Sequence, residues 1–377
     1  MAGWWYSGNW KYRKSITIDH TKVAGDLTYF PVLISLSSDS DLASNALSTG
    51  YDILFTSADG ITKLNHERVR YTTATGELIA WVRIPSLSSS VDTVIYMYFG
   101  NPDATDQQNI TGTWDDGGSN YYSGVWHLEE SGNGTAGEYK DSTANANNGQ
   151  GGSGIIGGSA TPTRATGKVG YGQSFARVNT QFISIPDATS MRLTGNFTLE
   201  AWGYANSFLA GWQYASLIGR QYGAGTDDSY ELGVGNDITT RSWPYLWVQG
   251  GTDFQNDSEV NSGTWYHYVI TVGGSNCFFY INGSQTADYG SGLTTLTDAN
   301  PTLFGAQENN ATTTPTADTL WDGIIDEVRI SKTQRSGAWV TTEYRNQNSP
   351  GTFYSIESWV EEYPHRGLIL FQDPTTL

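Results

Sequence analysis

The stretch Asp322-Gly-Ile-Ile-Asp-Glu-Val-Arg-Ile-Ser331 reads as a strand with one acid, Asp326, on its aliphatic side. Side chains alternate between the faces of a strand, so Ile324, Asp326, Val328 and Ile330 are expected on one face and Ile325, Glu327, Arg329 and Ser331 on the other. Asp326 then points with the aliphatics. A carboxylate facing a packed interior is costly unless it is paired, hydrogen-bonded or bound to a cation. Arg329 falls on the opposite face, which leaves a metal ion or a backbone turn as the partner of Asp326.

A second cluster, Asp141-Ser-Thr-Ala-Asn-Ala-Asn-Asn-Gly149, presents oxygens at near-alternate positions on a short loop closed by glycine. Calcium takes about six to eight oxygen ligands from carboxylates, amides and carbonyls, so such a loop is a partial cage whose remaining charge must come from elsewhere. The plainer reading is that Asp141 and Asn145 make Asx turns. Catalytic templates fit poorly. Hydrolysis of a glycosidic bond needs two carboxylates across a cleft, and adjacent Asp326 and Glu327 are expected on opposite faces of their strand. There is no Gly-x-Ser-x-Gly elbow and no His-Glu-x-x-His motif. His127 and His267 sit in strand patterns that read as packing. The chain is therefore expected not to be an enzyme.

The elements that must position these residues are β-strands. Composition is rich in glycine and in aromatic residues, with 14 Trp and 23 Tyr among 377 residues. The net charge of −18 reflects only 20 Lys and Arg, so the chain is base-poor, and phosphate-backbone binding to nucleic acid is excluded. The lone Cys277 rules out an intrachain disulfide framework and reads as a small buried residue. No apolar run approaches the length of a membrane-spanning helix, so membrane insertion is not expected. Strands are expected over 13–19, 30–36, 52–56, 78–84 and 93–99, and again over 182–185, 197–202, 265–272 and 278–281, with an Asn282-Gly283 hairpin turn. Helical periodicity of useful length is hard to find. The fold class is all-β: two β-sandwich domains, 1–112 and 113–363, followed by a short tail, 364–377.

The first region resembles the domain of unknown function 2341 of prokaryotic surface proteins. The resemblance runs through Trp10-Lys-Tyr-Arg-Lys-Ser-Ile-Thr-Ile18, Phe30-Pro-Val-Leu-Ile34, Asp52-Ile-Leu-Phe55, Glu77-Leu-Ile-Ala-Trp-Val-Arg-Ile-Pro85 and Ile95-Tyr-Met-Tyr-Phe-Gly-Asn101. The second is similar to laminin-G-like, concanavalin A-like jelly rolls through Val125-Trp-His-Leu-Glu-Glu130, the Asp141 loop, Phe197-Thr-Leu-Glu-Ala-Trp202, Gly263-Thr-Trp-Tyr-His-Tyr268 and the Asp322 decapeptide. That resemblance implies a single calcium gathered by Asp141, Asn145, Asn147, Asp326 and Glu130. It also implies polysaccharide as a partner, since jelly rolls of this class stack sugars on exposed aromatics. Trp4, Trp5, Trp10, Trp212, Trp243 and Trp247 are candidates, with Trp212, Tyr214 and Trp243 expected on loops.

The start, Met1-Ala-Gly-Trp-Trp, lacks the basic and apolar regions of a signal peptide, and the surface-protein resemblance favours a processed, secreted chain. The tail carries Leu368, Ile369, Leu370 and Phe371 where a polar terminus is usual. Such a run suits an extra strand of its own domain or a strand laid on a neighbouring subunit, with Trp4 and Trp5 as counterparts. The function expected from the sequence is a calcium-stabilised, non-enzymatic surface or matrix protein that self-assembles into a fibre or layer. A carbohydrate-binding adhesin is the alternative, with a glycoside hydrolase a distant third.

Overall fold

The computed structural model describes the chain except residues 1–4, 119–120, 153, 155–156, 209–210, 212, 222–227, 237–241, 249–251, 257, 275, 291–294, 296–298, 310–311, 316–318 and 362–377. Four antiparallel sheets form the framework. Sheet A orders Tyr354–Ile356, Tyr12–Ile18, Thr93–Phe99, Leu54–Ser57 and Lys63–Leu64, with Val360–Glu361 also on Tyr12–Ile18. Sheet B is Leu27–Leu36, Glu77–Leu87 and His66–Thr72. Sheet C runs Thr163–Thr166, Tyr171–Phe175, Gly323–Ser331, Phe197–Ala205, Trp265–Gly273, Asn276–Ile281 and Ser284–Gly290, and Tyr122–Trp126 pairs with Gly323–Ser331. Sheet D runs Thr252–Gln255, Ser242–Val248, Asp228–Asn236, Gln213–Gln221, Thr302–Phe304, Ile183–Ile185 and Gln150–Gly151.

Alternation explains how these sheets stack. In sheet B, Phe30, Val32 and Ile34 with Leu78, Ala80, Val82 and Ile84 meet Ile16, Phe55, Ile95 and Met97 of sheet A. The alternate residues Leu33, Ile79 and Trp81 face the other way and join Tyr122 and Val125 from sheet C in the same apolar cluster. Sheets C and D enclose a second core, with Leu199, Ile270, Ile325 and Val328 from one side and Leu217, Leu232, Leu246 and Phe304 from the other. The two sandwiches are thus joined through a buried seam between sheets B and C.

Every strand expected from the sequence is present, and Asn282 and Gly283 take φ of 51° and 73°, as the hairpin turn requires. Two features differ from the reading of the sequence. Residues 354–361, assigned there to the second domain, are strands on the edge of sheet A, with Ile16 opposite Ile356 and Tyr12 opposite Glu361. A helix also spans Gly337–Asn348, capped by the Ser336 side chain, which accepts from Trp339 N–H. Its buried residues include Thr342, Glu343, Asn346 and Gln347. A helix that buries polar groups carries little apolar periodicity, which is why the sequence hid it.

Candidate functional site

The Asp322 decapeptide is a strand, and its alternation breaks at Glu327. Glu200 pairs with Arg329 and Trp202 with Asp326, so the strand carries one more residue than its partner between these pairs. Glu327 has φ of 49°, which marks the bulge. The extra residue resets the parity: Ile325, Val328 and Ile330 face the core between sheets C and D, while Arg329 faces the seam. The expected split of Asp326 and Glu327 onto opposite faces, with Asp326 among the aliphatics, is therefore corrected. Asp326 takes the backbone turn as its partner. Its Oδ2 accepts from Lys168 N–H at 2.7 Å and Val169 N–H at 2.8 Å, and its Oδ1 accepts from Glu327 N–H at 2.8 Å. Burial, then the Glu327 charge, hold its carboxyl well above the usual range.

The carboxylates of the expected calcium set, Glu130, Asp141 and Asp326, do not form a group close enough to share an ion, and each has hydrogen-bond partners of its own. Both oxygens of Asp141 are occupied: Oδ1 by Val125 N–H at 3.0 Å and Thr143 N–H at 2.9 Å, Oδ2 by Asn147 N–H at 2.8 Å and the Thr143 hydroxyl at 2.9 Å. Asn145 and Asn147 turn their amide nitrogens inward, donating to the Ser123 carbonyl at 3.1 and 2.7 Å. Glu130 accepts from Lys140 N–H at 2.8 Å. The loop is an Asx-type turn closed by its own hydrogen bonds. Among the described residues, the group of His, Cys, Asp or Glu side chains close enough to share an ion is Asp19, His20 and Asp92, none of which belongs to the expected set.

What the seam does hold is a buried ionic chain that the sequence did not reveal. His127 bridges Glu327 at 2.8 Å and Glu67 at 3.2 Å. Burial opposes its charged form, but the two carboxylates outweigh it and hold the imidazole well above its usual range. Glu67 also accepts from the Trp114 indole at 2.5 Å and the Ser142 hydroxyl at 2.7 Å. Arg329 pairs with Glu327 at 2.9 Å and with Glu343, and its guanidinium lies 4.3 Å from the Trp81 ring. Burial, then Glu200, push the Glu343 carboxyl up to about 8. His127 and Arg329 had read as ordinary strand residues. Their partners come from Glu67 in sheet B and Glu343 in the helix, at separations no local pattern encodes.

An aromatic surface lies on sheet D. Along Ser242–Val248, Leu246 and Val248 enter the core, so Trp243, Tyr245 and Trp247 take the other face. Beside them in register stand Gly235, Gly233 and Glu231, and Tyr214 lies opposite Gly235. The glycines let the rings lie on the sheet: a Cβ at Gly233 would sit 2.6 Å from the Tyr245 hydroxyl, and one at Gly235 3.1 Å from the Tyr214 ring. Tyr214 packs 4.9 Å from Tyr245 and 5.2 Å from Trp247 between ring centroids, both edge-on. Glu231 accepts from the Ser216 and Tyr245 hydroxyls. Tyr214 and Trp247 are half-buried, and the Trp247 indole nitrogen, itself buried, has no hydrogen-bond partner among the described residues.

Tyr214 and Trp243 are thus strand residues, not the loop aromatics expected, and Trp243 is buried. The alternation of Trp243, Tyr245 and Trp247 is the signal in the sequence that could have found this face, had the segment been read as a strand. Trp212, Trp4 and the tail residues Leu368, Ile369, Leu370 and Phe371 lie outside the described residues. Trp5 packs within its own chain, 5.4 Å from Tyr98 and over the Arg13 guanidinium.

Residues 177–341 match the family described as the concanavalin A-like lectin/glucanases superfamily, and residues 49–128 match the domain of unknown function 2341. The two matches lie one after the other along the chain. No curated protein matches it. Among solved structures, domain 4 of AbnA, a GH43 extracellular arabinanase from Geobacillus stearothermophilus, in complex with arabinotriose, aligns at 19% identity over 59% of this chain and 97% of that one, with a TM-score of 0.43. The binding domain of Paraclostridial Mosquitocidal Protein 1 aligns at 15% identity over 59% of this chain and 52% of that one, with a TM-score of 0.44. Trypanosoma rangeli sialidase aligns at 15% identity over 73% of this chain and 43% of that one, with a TM-score of 0.42. This chain therefore spans about half of each of the last two. In the concanavalin A-like domain the aromatic face belongs to sheet D and the ionic chain to the back of sheet C. Among the described residues no helix is long and apolar enough to cross a membrane.

Proposed function

We propose that the chain is an extracellular, non-catalytic saccharide-binding protein whose binding surface is the outward face of sheet D. The observation that carries this reading is the half-buried aromatic pair Tyr214 and Trp247, packed edge-on at 5.2 Å on this face of the sheet. Sugars present apolar C–H faces, which suit partly exposed aromatic rings. Cleavage would need two carboxylates flanking the bond. Asp326 and Glu327, the adjacent acids weighed for that role from the sequence, are fully buried at the seam on the other sheet. The non-catalytic reading thus rests on burial and no longer on the two acids pointing apart.

The assembly reading draws on Trp5, which is engaged with Tyr98 of its own sheet, and on residues outside the described part of the chain. The saccharide reading is preferred for that reason. Titration calorimetry against soluble polysaccharides and their oligosaccharides tests it. Trp247→Ala is expected to weaken binding about tenfold, the loss of one stacked ring, with no reducing sugar released by the wild-type protein. Binding that is unchanged in Trp247→Ala and Tyr214→Ala proteins, or absent from the wild type, would sink the reading.

A further inference from the structure

A second cavity, of about 430 Å³, opens at the junction of the two sandwiches, on residues the sheet D reading does not use. One wall is Asp26 to Tyr29 at the start of sheet B. The other walls are Asp116 and Tyr121 from the connection between domains, and Thr333 to Trp339 between the bulged strand and the helix. The pocket therefore exists only when the sandwiches are docked, and its volume falls in the range of about 300–1,000 Å³ usual for small-ligand sites, which favour domain interfaces.

Three features of this pocket are built rather than incidental. Tyr29 holds φ of 54°, a left-handed conformation that aromatic L-residues rarely adopt, and its ring is 36% exposed at the pocket wall. Strain of this kind persists only where surrounding structure fixes it, and it collects at ligand clamps. Here Arg83 lies 5.2 Å from the ring, and Gly117 approaches so closely that a Cβ there would meet the ring at 2.6 Å. Arg335 is only 8% exposed, and its guanidinium is held between the rings of Trp339 at 4.1 Å and Tyr122 at 4.5 Å while donating to Asp116 at 3.2 Å. Tyr121 stands at the wall and is 41% exposed, which offers an aromatic surface there.

The chemistry of the walls selects the ligand class. The charge of Arg335 is already balanced by Asp116, and Asp26 adds a further negative charge, so a phosphate or other anion is disfavoured. The polar lining excludes a purely apolar guest. Carboxylate acceptors, guanidinium and amide donors, and hydroxyls that do both suit a ligand whose own groups donate and accept, and the Tyr29 and Tyr121 rings suit its C–H faces. We propose that this junction pocket is a second saccharide site, taking a mono- or disaccharide unit. It shares its ligand class with the sheet D reading without depending on it.

Ligand-observed saturation-transfer NMR and calorimetry on the full chain decide the matter, with glucose, galactose, mannose, arabinose, N-acetylglucosamine and their disaccharides as probes. Trp247→Ala protein is expected to retain binding to at least one probe. Adding Tyr121→Ala, or separately Tyr29→Gly, is expected to weaken that binding about tenfold. Glycine accepts the φ of Tyr29 without strain, so the Tyr29→Gly protein should melt no lower than its parent while losing affinity, which separates a ligand role from a structural one. If Trp247→Ala protein binds none of the probes, or if either pocket variant binds as tightly as its parent, the proposal is overturned. Failure of the sheet D reading looks different: wild-type and Trp247→Ala proteins then bind equally, and the pocket variants still lose affinity.

Discussion

Replacing Arg329 by Met tests whether the ionic chain holds the two domains together. The guanidinium is fully buried, pairs with Glu327 at 2.9 Å and with Glu343, lies 3.7 Å from Glu200, and stacks against Trp81 at 4.3 Å and Trp114 at 5.0 Å. Methionine keeps most of the volume and the aromatic contact but removes the charge that faces three carboxyl groups. Breaking a buried pair from one side costs about 3–5 kcal/mol, because the remaining charge stays uncompensated. At about 2 °C per kcal/mol for a large cooperative unit, the melting temperature should fall by about 6–10 °C at neutral pH. Near-ultraviolet circular dichroism reports this directly, since Trp81 and Trp114 line the seam.

The pH dependence gives the prediction its sign. In the wild type, burial raises the Glu327 carboxyl but His127 and Arg329 outweigh it, and its net position is below the usual range. Without Arg329 the buried carboxyls are raised above their unfolded values. Groups raised in this way are protonated in the folded protein and ionised in the unfolded one, so stability is fully present at low pH and lost as pH rises through the folded value. The deficit of the variant should therefore widen from pH 5 to pH 8 and narrow on acidification. A variant that melts within about 2 °C of wild type at pH 7, or whose deficit shrinks as pH rises, would refute the reasoning.

The wild-type chain should itself lose stability as pH rises from the unfolded glutamate range toward about 8, because Glu343 is raised to about 8 by burial and by Glu200; Glu343→Gln should flatten that part of the curve in urea titrations at stepped pH. Asp141 accepts four hydrogen bonds from its own loop and from Val125. Asp141→Ala should accordingly cost about 1–3 kcal/mol by leaving buried donors unpaired, and wild-type melting should be unmoved by a calcium chelator. A chelator-sensitive melt that Asp141→Ala abolishes would restore the calcium cage.

Much of the framework is local and could be read from the chain. Alternation of Phe30, Val32 and Ile34, the Asn282-Gly283 turn, and the setting of Cys277, whose buried thiol is pushed up to about 12, are properties of short segments and survive in the fold unchanged. The aromatic face of sheet D was legible only in part: Trp243 and Trp247 were candidates, but Trp243 was expected on a loop, and their common side follows only once Ser242–Val248 is a strand. The helix Gly337–Asn348 was not legible, because its buried Glu343 and Asn346 are satisfied by Arg329 and by the Leu33 backbone, partners that only the docked sandwiches supply.

The Asp322 decapeptide shows where the boundary falls. Its residues determined a strand that must bury ionisable groups, and they narrowed the partner of Asp326 to a metal or a turn. Which of these it is, and which way each acid points, was decided by one extra residue at Glu327 and by the chain segments brought against it: the turn at Lys168, His127 beside sheet B, and the helix carrying Glu343. A bulge shifts the side of every following residue yet leaves composition and periodicity almost untouched. The energy of a buried charge depends on the groups packed around it, which the sequence brings from positions hundreds of residues apart and only the tertiary structure places together.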